Sequence, residues 1–307
     1  VVRGELGDPH LPFLVELPQR GPGADALGRS AALLVDLFVD IQPHGWRLVE
    51  RPGKDHRRAV SLLTQDLNVL ADVVGVEERR GEALKISMRG PLSLAANLYL
   101  HNGERALSDA GARRDILQSF TAGVGDYVAR ASSSAPGARI TVQVDEPDIA
   151  AVLAGGIPTA SGYRTLRSVP SSEVSGAWQQ VREAVEAVGA DTVFTLPRAE
   201  GSGPLRPGTQ SPFELAVGAG AQGAALAAAV SEETGIPVIC HNYTIDATSD
   251  GRGEVTSYNL EEIKKFDFGS YFSEDFRNTP LPTLDEFLEL TADSGCEIIN
   301  IELKCPK

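Results

Sequence analysis

Five side chains capable of chemistry stand at or beside the ends of strand-like runs. Asp145 and Glu146 end one run in the middle of the chain, His241 follows a second, and Glu302 and Lys304 close a third. Glu302 and Lys304 belong to one face of their strand, because successive strand residues alternate between two faces. Carboxylates can hold a cation, a histidine can transfer a proton and a lysine can offset negative charge. The plainer alternatives are a strand-end turn, a structural histidine and a solvated Glu–Lys pair.

The elements that must position these side chains are short β-rich runs that alternate with longer helical patterns. Such alternation indicates parallel strands joined by right-handed crossovers, so we predict an α/β fold. A TIM-type (β/α)8 barrel and a doubly wound sheet both satisfy the pattern. The predicted strands, which we expect to run parallel, are 84–88, 140–144, 192–195, 237–240 and 298–303.

Two helices show clear apolar faces. The first should begin after Ser108 as its N-cap and should end before Gly137, and the second should begin near Glu173. The residues expected on their buried faces are Ile116, Phe120, Val124 and Val128 in the first, and Trp178, Val181, Val185 and Val188 in the second. The stretch from Gly218 to Val230 is nearly all Ala and Gly, which favours an Ala-rich helix that fills a core poorly.

Composition limits the classes of partner. The net charge of −14 and the sequence pI near 4.8 disfavour nucleic acid and anionic membranes as partners, so any partner is expected to be a small-molecule substrate. No apolar run approaches the ~20 residues needed to span a bilayer. The three cysteines have neither metal-finger nor disulfide-framework spacing, which fits a cytoplasmic protein.

The two ends of the chain indicate further residues beyond them. The sequence begins at Val1 without a methionine and stops three residues after the strand-like run that ends at Lys304. A strand tip is normally followed by a loop and a helix that cover the sheet. We therefore expect the natural chain to continue past both Val1 and Lys307.

Six blocks of residues follow one another over the first two-thirds of the chain. They are Gly4-Glu5-Leu6, Arg20-Gly21-Pro22-Gly23-Ala24-Asp25, Asp40-Ile41-Gln42-Pro43-His44-Gly45-Trp46-Arg47, Arg89-Gly90-Pro91-Leu92-Ser93-Leu94-Ala95, Val142-Gln143-Val144-Asp145-Glu146-Pro147 and Pro158-Thr159-Ala160-Ser161-Gly162. In these blocks and in their order, residues 1 to about 228 resemble the cobalamin-independent methionine synthase family, in the short actinobacterial form of its C-terminal catalytic barrel.

This resemblance implies methyl transfer from a folate to a thiol that zinc holds as the thiolate. Asp145 and Glu146 would then bind the amino group of the substrate. The family's zinc ligands form a His-x-Cys pair after the next strand, but residues 192–198 contain neither ligand, and the pair occurs nowhere in the chain. We therefore expect no stoichiometric zinc and no detectable methyl transfer.

A second set of blocks follows in the last third of the chain. The blocks are Pro237-Val238-Ile239-Cys240-His241-Asn242, Thr248-Ser249-Asp250-Gly251-Arg252-Gly253, Leu260-Glu261-Glu262-Ile263, Phe266-Asp267-Phe268-Gly269-Ser270-Tyr271-Phe272, Leu281-Pro282-Thr283-Leu284-Asp285-Glu286-Phe287-Leu288 and Asn300-Ile301-Glu302-Leu303-Lys304. In the order and spacing of these blocks, residues from about 236 to 307 resemble the first half of a glycerophosphodiester phosphodiesterase.

The second resemblance implies hydrolysis of a phosphodiester with a bound Ca²⁺ or Mg²⁺. His241 would be a general acid and base, Glu302 a metal ligand, and Lys304 a cation for the phosphoryl charge. The family also uses an earlier histidine and a Glu-x-Asp pair. No histidine lies between His101 and His241, and the segment 224–227, where the acidic pair would fall, is Ala-Ala-Leu-Ala. Neither implied metal therefore has its full set of ligands.

These patterns predict a partial or hybrid TIM-type barrel built from two fragments, residues 1–228 and 229–307. The leading functional hypothesis is a methionine-synthase-like fragment of the methyltransferase family that carries a phosphodiesterase-like tail and has little or no activity. One alternative is a glycerophosphodiester phosphodiesterase with metal-dependent hydrolase activity. The other is a non-enzymatic fusion of two gene fragments.

Overall fold

The computed structural model describes residues 11–77, 81–196, 215–216, 223–230, 237–240, 244–283, 286–287, 289 and 298–304, and in 223–230 and 298–304 it describes the backbone alone. The chain divides into two compact units. One consists of Val1–Pro197 with Leu205–Ala221, and the other of Arg198–Pro204 with Gln222–Lys307. Each unit mixes helices and strands, which agrees with the α/β class predicted from the sequence.

The first unit contains a hairpin and a parallel sheet. The hairpin joins β1 (Phe38–Gln42) to β2 (Gly45–Val49). The parallel strands are β3 (Ala83–Arg89), β4 (Arg139–Asp145) and β5 (Asp191–Thr195), with β4 between the other two. The predicted parallel strands 84–88, 140–144 and 192–195 are confirmed.

Six α-helices of the first unit lie within the described residues. They are α1 (Ala26–Ala31), α2 (Lys54–Gly75), α3 (Pro91–Asn97), α4 (Ala110–Ser134), α5 (Ile149–Ala154) and α6 (Ser171–Glu186). None of the helices described anywhere in the chain has the length and apolar character needed to cross a membrane.

One face of the parallel sheet is packed into an apolar core. Leu84, Ile86 and Met88 alternate with partly exposed residues along β3 and are buried together with Phe120 of α4 and Trp178 of α6. This alternation follows from the period of two in a strand. The apolar face therefore fixes β3 and β4, and with them the positions of the polar residues at their carboxyl ends.

The helix predictions need two corrections. Asp109, and not Ser108, caps α4, because its carboxylate accepts a hydrogen bond from the amide of Ala112 at 2.8 Å. Ser108 ends a short 3-10 turn instead. Val188 lies beyond the end of α6 and is 42% exposed, so its predicted burial is wrong. The other seven residues predicted on the two apolar faces are buried.

The second unit contains β6 (Gly223–Val230), β7 (Pro237–Val238), β8 (Ile298–Lys304) and the single-turn helix α7 (Leu260–Ile263). β6 pairs with β8 in parallel and with β7 in antiparallel orientation. A capping box starts α7, in which Asn259 and Glu262 each accept a hydrogen bond from the other's backbone amide.

Two predictions for the second unit are wrong. Residues 223–230 form a strand and not an Ala-rich helix, because seven residue pairs with β8 outweigh helix preferences of tenths of a kcal/mol per residue. The predicted parallel strand 237–240 is shorter and antiparallel to β6. The segment 231–236 is too short for the crossover of about a dozen residues that a parallel return requires.

A small separate core supports the second unit. Its buried members in the described residues are Val238, Cys240, Ile245, Val255, Ile263, Phe268 and Leu281. The amide of Ile239 donates to the carbonyl of Pro282 at 2.9 Å, which ties the segment before His241 to the segment around Leu281.

Candidate functional site

Glu146 directly follows β4 and is completely buried. Its Oε2 accepts a hydrogen bond from the amide of Ser93 at 2.7 Å, and its Oε1 accepts from the amide of Leu92 at 3.2 Å and from Nε1 of Trp178 at 3.3 Å. Burial raises the pKa of Glu146 to about 7, although these hydrogen bonds favour the charged form.

Gly90 allows the Glu146 carboxyl group to approach the start of α3. A Cβ atom at Gly90 would lie 2.4 Å from Oε1 of Glu146, so a larger residue there would displace this carboxyl group. Glu146 therefore joins the turn between β3 and α3 to Trp178 on α6. This geometry gives Glu146 an internal structural role, and its predicted contact with a substrate amino group stays a prediction.

Asp145 ends β4 with a partly exposed side chain. Its Oδ1 accepts a hydrogen bond from Nε2 of Gln143 at 2.8 Å, and burial raises the pKa of Asp145. In the parallel ladder Asp145 lies in register with Arg89 at the end of β3. Beside them, Asp148 accepts a hydrogen bond from Nδ2 of Asn97 at 2.7 Å. Acidic and basic residues thus lie together at the carboxyl ends of β3 and β4. In parallel α/β folds, ligands bind at this edge of the sheet.

A buried ionic cluster in the first unit was not predicted. Arg29 is 3% exposed and forms an ion pair with Asp66, which also binds Nη2 of Arg20 at 2.7 Å. Nε of Arg29 lies 3.5 Å from Oε1 of Glu16. Burial raises the pKa of Glu16, and it raises that of the neighbouring Tyr127 to about 12. Opposite charges compensate one another here, as burial of an ion requires.

One sequence signal could have indicated this cluster. Asp66 lies three residues after Leu63 and four before Leu70, and both leucines are buried on the apolar face of α2. A carboxylate on the apolar face of an amphipathic helix needs a buried partner. The identity of that partner, Arg29, depends on the contact between α1 and α2 and is not visible in the local pattern.

The second predicted site is described in part. His241 lies outside the described residues. Glu302 and Lys304 both lie on β8, where the parallel ladder sets them beside Ala227 and Ala229 of β6. The structure therefore brings Glu302 and Lys304 together on one strand, and the placement of His241 relative to them stays a prediction.

Within the described residues, the side chains do not fit a divalent cation. In the described parts of the chain, no group of three His, Cys, Asp or Glu side chains could hold a metal. β6, which pairs with the strand that contains Glu302, consists of Gly, Ala, Leu and Val, so its sequence supplies no oxygen-bearing side chain. Ca²⁺ and Mg²⁺ take about six or more oxygen ligands. For zinc, β5 contains neither histidine nor cysteine.

Comparison with known proteins finds similarity in the C-terminal third of the chain. Residues 209–306 match the Glycerophosphoryl diester phosphodiesterase family. A glycerophosphodiester phosphodiesterase of Caldanaerobacter subterraneus subsp. tengcongensis is 40% identical over 96 residues, which are 31% of this chain and 39% of that protein. One of Bacillus altitudinis is 34% identical over 96 residues, with the same two shares. The chain thus spans about two-fifths of the length of these relatives.

Two solved structures are similar to part of the chain. A glycerophosphodiester phosphodiesterase from Agrobacterium tumefaciens is 32% identical, with 30% of this chain and 38% of that chain covered and a TM-score of 0.27. An Oleispira antarctica phosphodiesterase, solved in complex with the product sn-glycerol-3-phosphate, is 26% identical, with 39% and 47% covered and a TM-score of 0.29. TM-scores this low do not establish a shared arrangement of strands.

These matches support the second of the two resemblances and not the first. The matched range begins at residue 209, before the predicted boundary at 229, and so includes part of the stretch assigned to the methionine synthase resemblance. The matches give no support to that resemblance, which stays a prediction for residues 1–228. The glycerophosphodiester phosphodiesterase alternative is the better supported of the two.

Proposed function

We propose that this chain acts on small phosphodiesters through residues 209–306, as a hydrolase of the glycerophosphodiester phosphodiesterase type. The observation that carries the proposal is the family match over this range, which includes His241, Glu302 and Lys304. The 40% identity to a relative of that name over 96 residues supports it. The proposed fold of this part is a TIM-type barrel, partial or hybrid in this chain, and the sparse cysteines suit a cytoplasmic location.

The proposed reaction is attack of water on phosphorus with cleavage of one ester P–O bond. His241 transfers a proton, removing it from the attacking water or delivering it to the leaving alcohol oxygen. Lys304 stabilises the negative charge that builds on the phosphoryl oxygens. Glu302 shares the strand face of Lys304, two residues away. No step passes through a metal ion, because the residues of β6 and β8 do not fit one.

The expected rate is low. The family resemblance implies two proton-transferring histidines and a divalent cation, and this chain has one candidate histidine in the matched range. Each proton-transfer group alone typically contributes ~10² to 10⁴ in rate. Turnover close to the uncatalysed background is therefore the proposed behaviour.

A hydrolysis assay with a chromogenic phosphodiester tests the proposal. We expect slow turnover in the purified wild-type chain and its loss in His241→Ala. His101→Ala is the matched control, because His101 lies in an exposed turn outside the matched range. The proposal fails if wild-type turnover does not exceed the buffer rate, or if it survives in His241→Ala at the wild-type level.

A further inference from the structure

Helix α2 has a second apolar side besides the one that packs into the core. Val69 and Val73 are 60% and 41% exposed, and Val76, which follows the last residue of α2, is 83% exposed. With the partly buried Leu62 they are spaced by seven, four and three residues, which places all four along one side of an α-helix. We call this side the apolar stripe. Exposed apolar surface in such a pattern is typical of a helix that another helix covers.

The charges at the two ends of α2 have the signs that the helix dipole disfavours. Lys54, Arg57 and Arg58 are exposed within the first two turns. Asp55, the acidic residue of the first turn, is partly buried and accepts a hydrogen bond from a backbone amide. Asp72 is exposed in the last turn, which contains no basic residue. The positive end of the dipole thus lies among cations and the negative end beside an anion, which is unfavourable in an isolated helix.

An antiparallel pair of α2 helices from two copies of the chain would remove this conflict. With Gln65 opposite its own counterpart at the twofold axis, Arg58 lies opposite Asp72 of the second copy, since both are seven residues from Gln65. In the same register, Leu62 lies within one residue of Val69 of the second copy, so the two apolar stripes meet at their centre. The two helix dipoles then run in opposite directions, and each basic end lies beside an acidic end.

We infer that this chain forms a homodimer in which the α2 helices of two copies pack antiparallel and bury the apolar stripe between them. A twofold interface must be complementary to itself. The surface of α2 meets this condition, because one end is basic, the other end is acidic and the middle is apolar. A partner helix of uniform charge would be repelled by one of the two ends. The net charge of −14 makes two copies repel each other in general, so their association depends on this local complementarity.

Sedimentation velocity over a range of protein concentrations tests the apolar stripe. The wild-type chain should form a dimer whose fraction rises with concentration. Val73→Glu should raise the dimer Kd by at least about tenfold, because each dimer would bury two unpaired carboxylates. Val188→Glu is the matched control and should leave the Kd unchanged, because Val188 is 42% exposed and lies outside α2. A wild-type chain that stays monomeric at about 100 µM would overturn the inference. So would a Val73→Glu variant that dimerises as tightly as Val188→Glu.

An exchange of charges tests the antiparallel register and leaves the apolar stripe intact. Arg58→Glu and Asp72→Arg should each raise the dimer Kd by about threefold to tenfold, because each places like charges opposite one another twice in the dimer. The double variant restores opposite charges and should dimerise within about threefold of the wild type. Far-ultraviolet circular dichroism checks that each variant keeps its helices. A folded double variant that dimerises no more tightly than the single variants would contradict the antiparallel pairing.

Discussion

Glu146 combines a strand-end position, which suits contact with a ligand, with complete burial, which suits an internal structural role. Three N–H donors on two different helices converge on its two oxygens. A charged carboxylate without solvent is costly even when it is hydrogen-bonded, and this cost is the reason for its raised pKa. Glu146 should therefore affect the stability of the first unit in a pH-dependent way.

The free energy of unfolding of the first unit should fall as pH rises, through the titration of Glu146. Its folded pKa of about 7 lies above its ordinary value of 4.5, so the folded state binds the proton more tightly. The contribution of Glu146 to the free energy of unfolding is fully present below pH 4.5 and is lost as pH rises through about 7. The total loss should be about 3 kcal/mol. Glu146→Gln removes this titration and should flatten the pH profile.

Urea unfolding followed by tryptophan fluorescence between about pH 5 and pH 8 measures this effect. Trp46 and Trp178 both lie in the first unit, so their signal reports on that unit. Burial lowers the pKa of His56, whose contribution has the opposite sign, present above its ordinary pKa and lost as pH falls. His56 is unchanged in both proteins, so the difference between their profiles isolates Glu146. Parallel profiles would contradict the prediction.

At the scale of elements, α4 packs closely against the loop after α1. A Cβ atom at Gly123 would lie 1.7 Å from the carbonyl oxygen of Leu33, so this contact requires glycine. Ser119, one turn earlier on α4, donates a hydrogen bond through Oγ to the carbonyl of Val35 at 2.7 Å. α4 is thus held against the segment 33–35 by close backbone packing as well as by its apolar face.

Gly123→Ala should lower the unfolding free energy by about 1 to 3 kcal/mol, because the backbone must move to admit the methyl group. Gly176→Ala on α6 is the matched control, since a Cβ atom there meets nothing within 4 Å. That substitution should raise stability by about 0.5 to 1 kcal/mol through helix propensity. Both changes are measured by chemical denaturation. A Gly123→Ala variant as stable as Gly176→Ala would show that α4 is free to move away from Leu33.

At the scale of the whole molecule, the described residues form two apolar cores, one in each compact unit. Gly269 in the second unit is as constrained as Gly123 in the first, because a Cβ atom there would lie 1.7 Å from the carbonyl oxygen of Phe276. A substitution at either glycine should therefore destabilise the unit that contains that glycine and leave the other unit unchanged.

Hydrogen exchange followed by mass spectrometry distinguishes the two units. Gly269→Ala should speed amide exchange in peptides from 244–283 and leave peptides of α4 and α6 at their wild-type rates, since local opening reflects local contacts. Gly123→Ala should give the reverse pattern and serves as the control. Faster exchange spread across both units in either variant would show that they unfold as one.

Local patterns in the sequence were sufficient to predict the helices and strands whose structure does not depend on residues distant in the chain. Apolar and polar residues alternate along β3 and β4, and the buried face of α4 repeats every four residues, so each pattern predicts its own structure. For the candidate sites, strand-end placement of Asp145, Glu302 and Lys304 also followed from the pattern. The family match independently includes Glu302 and Lys304.

The tertiary structure decided the features that depend on residues distant in the chain. Ala-rich β6 is a strand because β8, some seventy residues later, supplies its hydrogen-bond ladder. Glu146 is an internal group because Ser93 and Trp178, 53 and 32 residues away, donate to it. Arg29 is charged and buried because Asp66 lies beside it, 37 residues away. Helix and strand preferences of single residues are worth tenths of a kcal/mol, whereas a buried charge or an unpaired strand costs several, so the distant partners prevail.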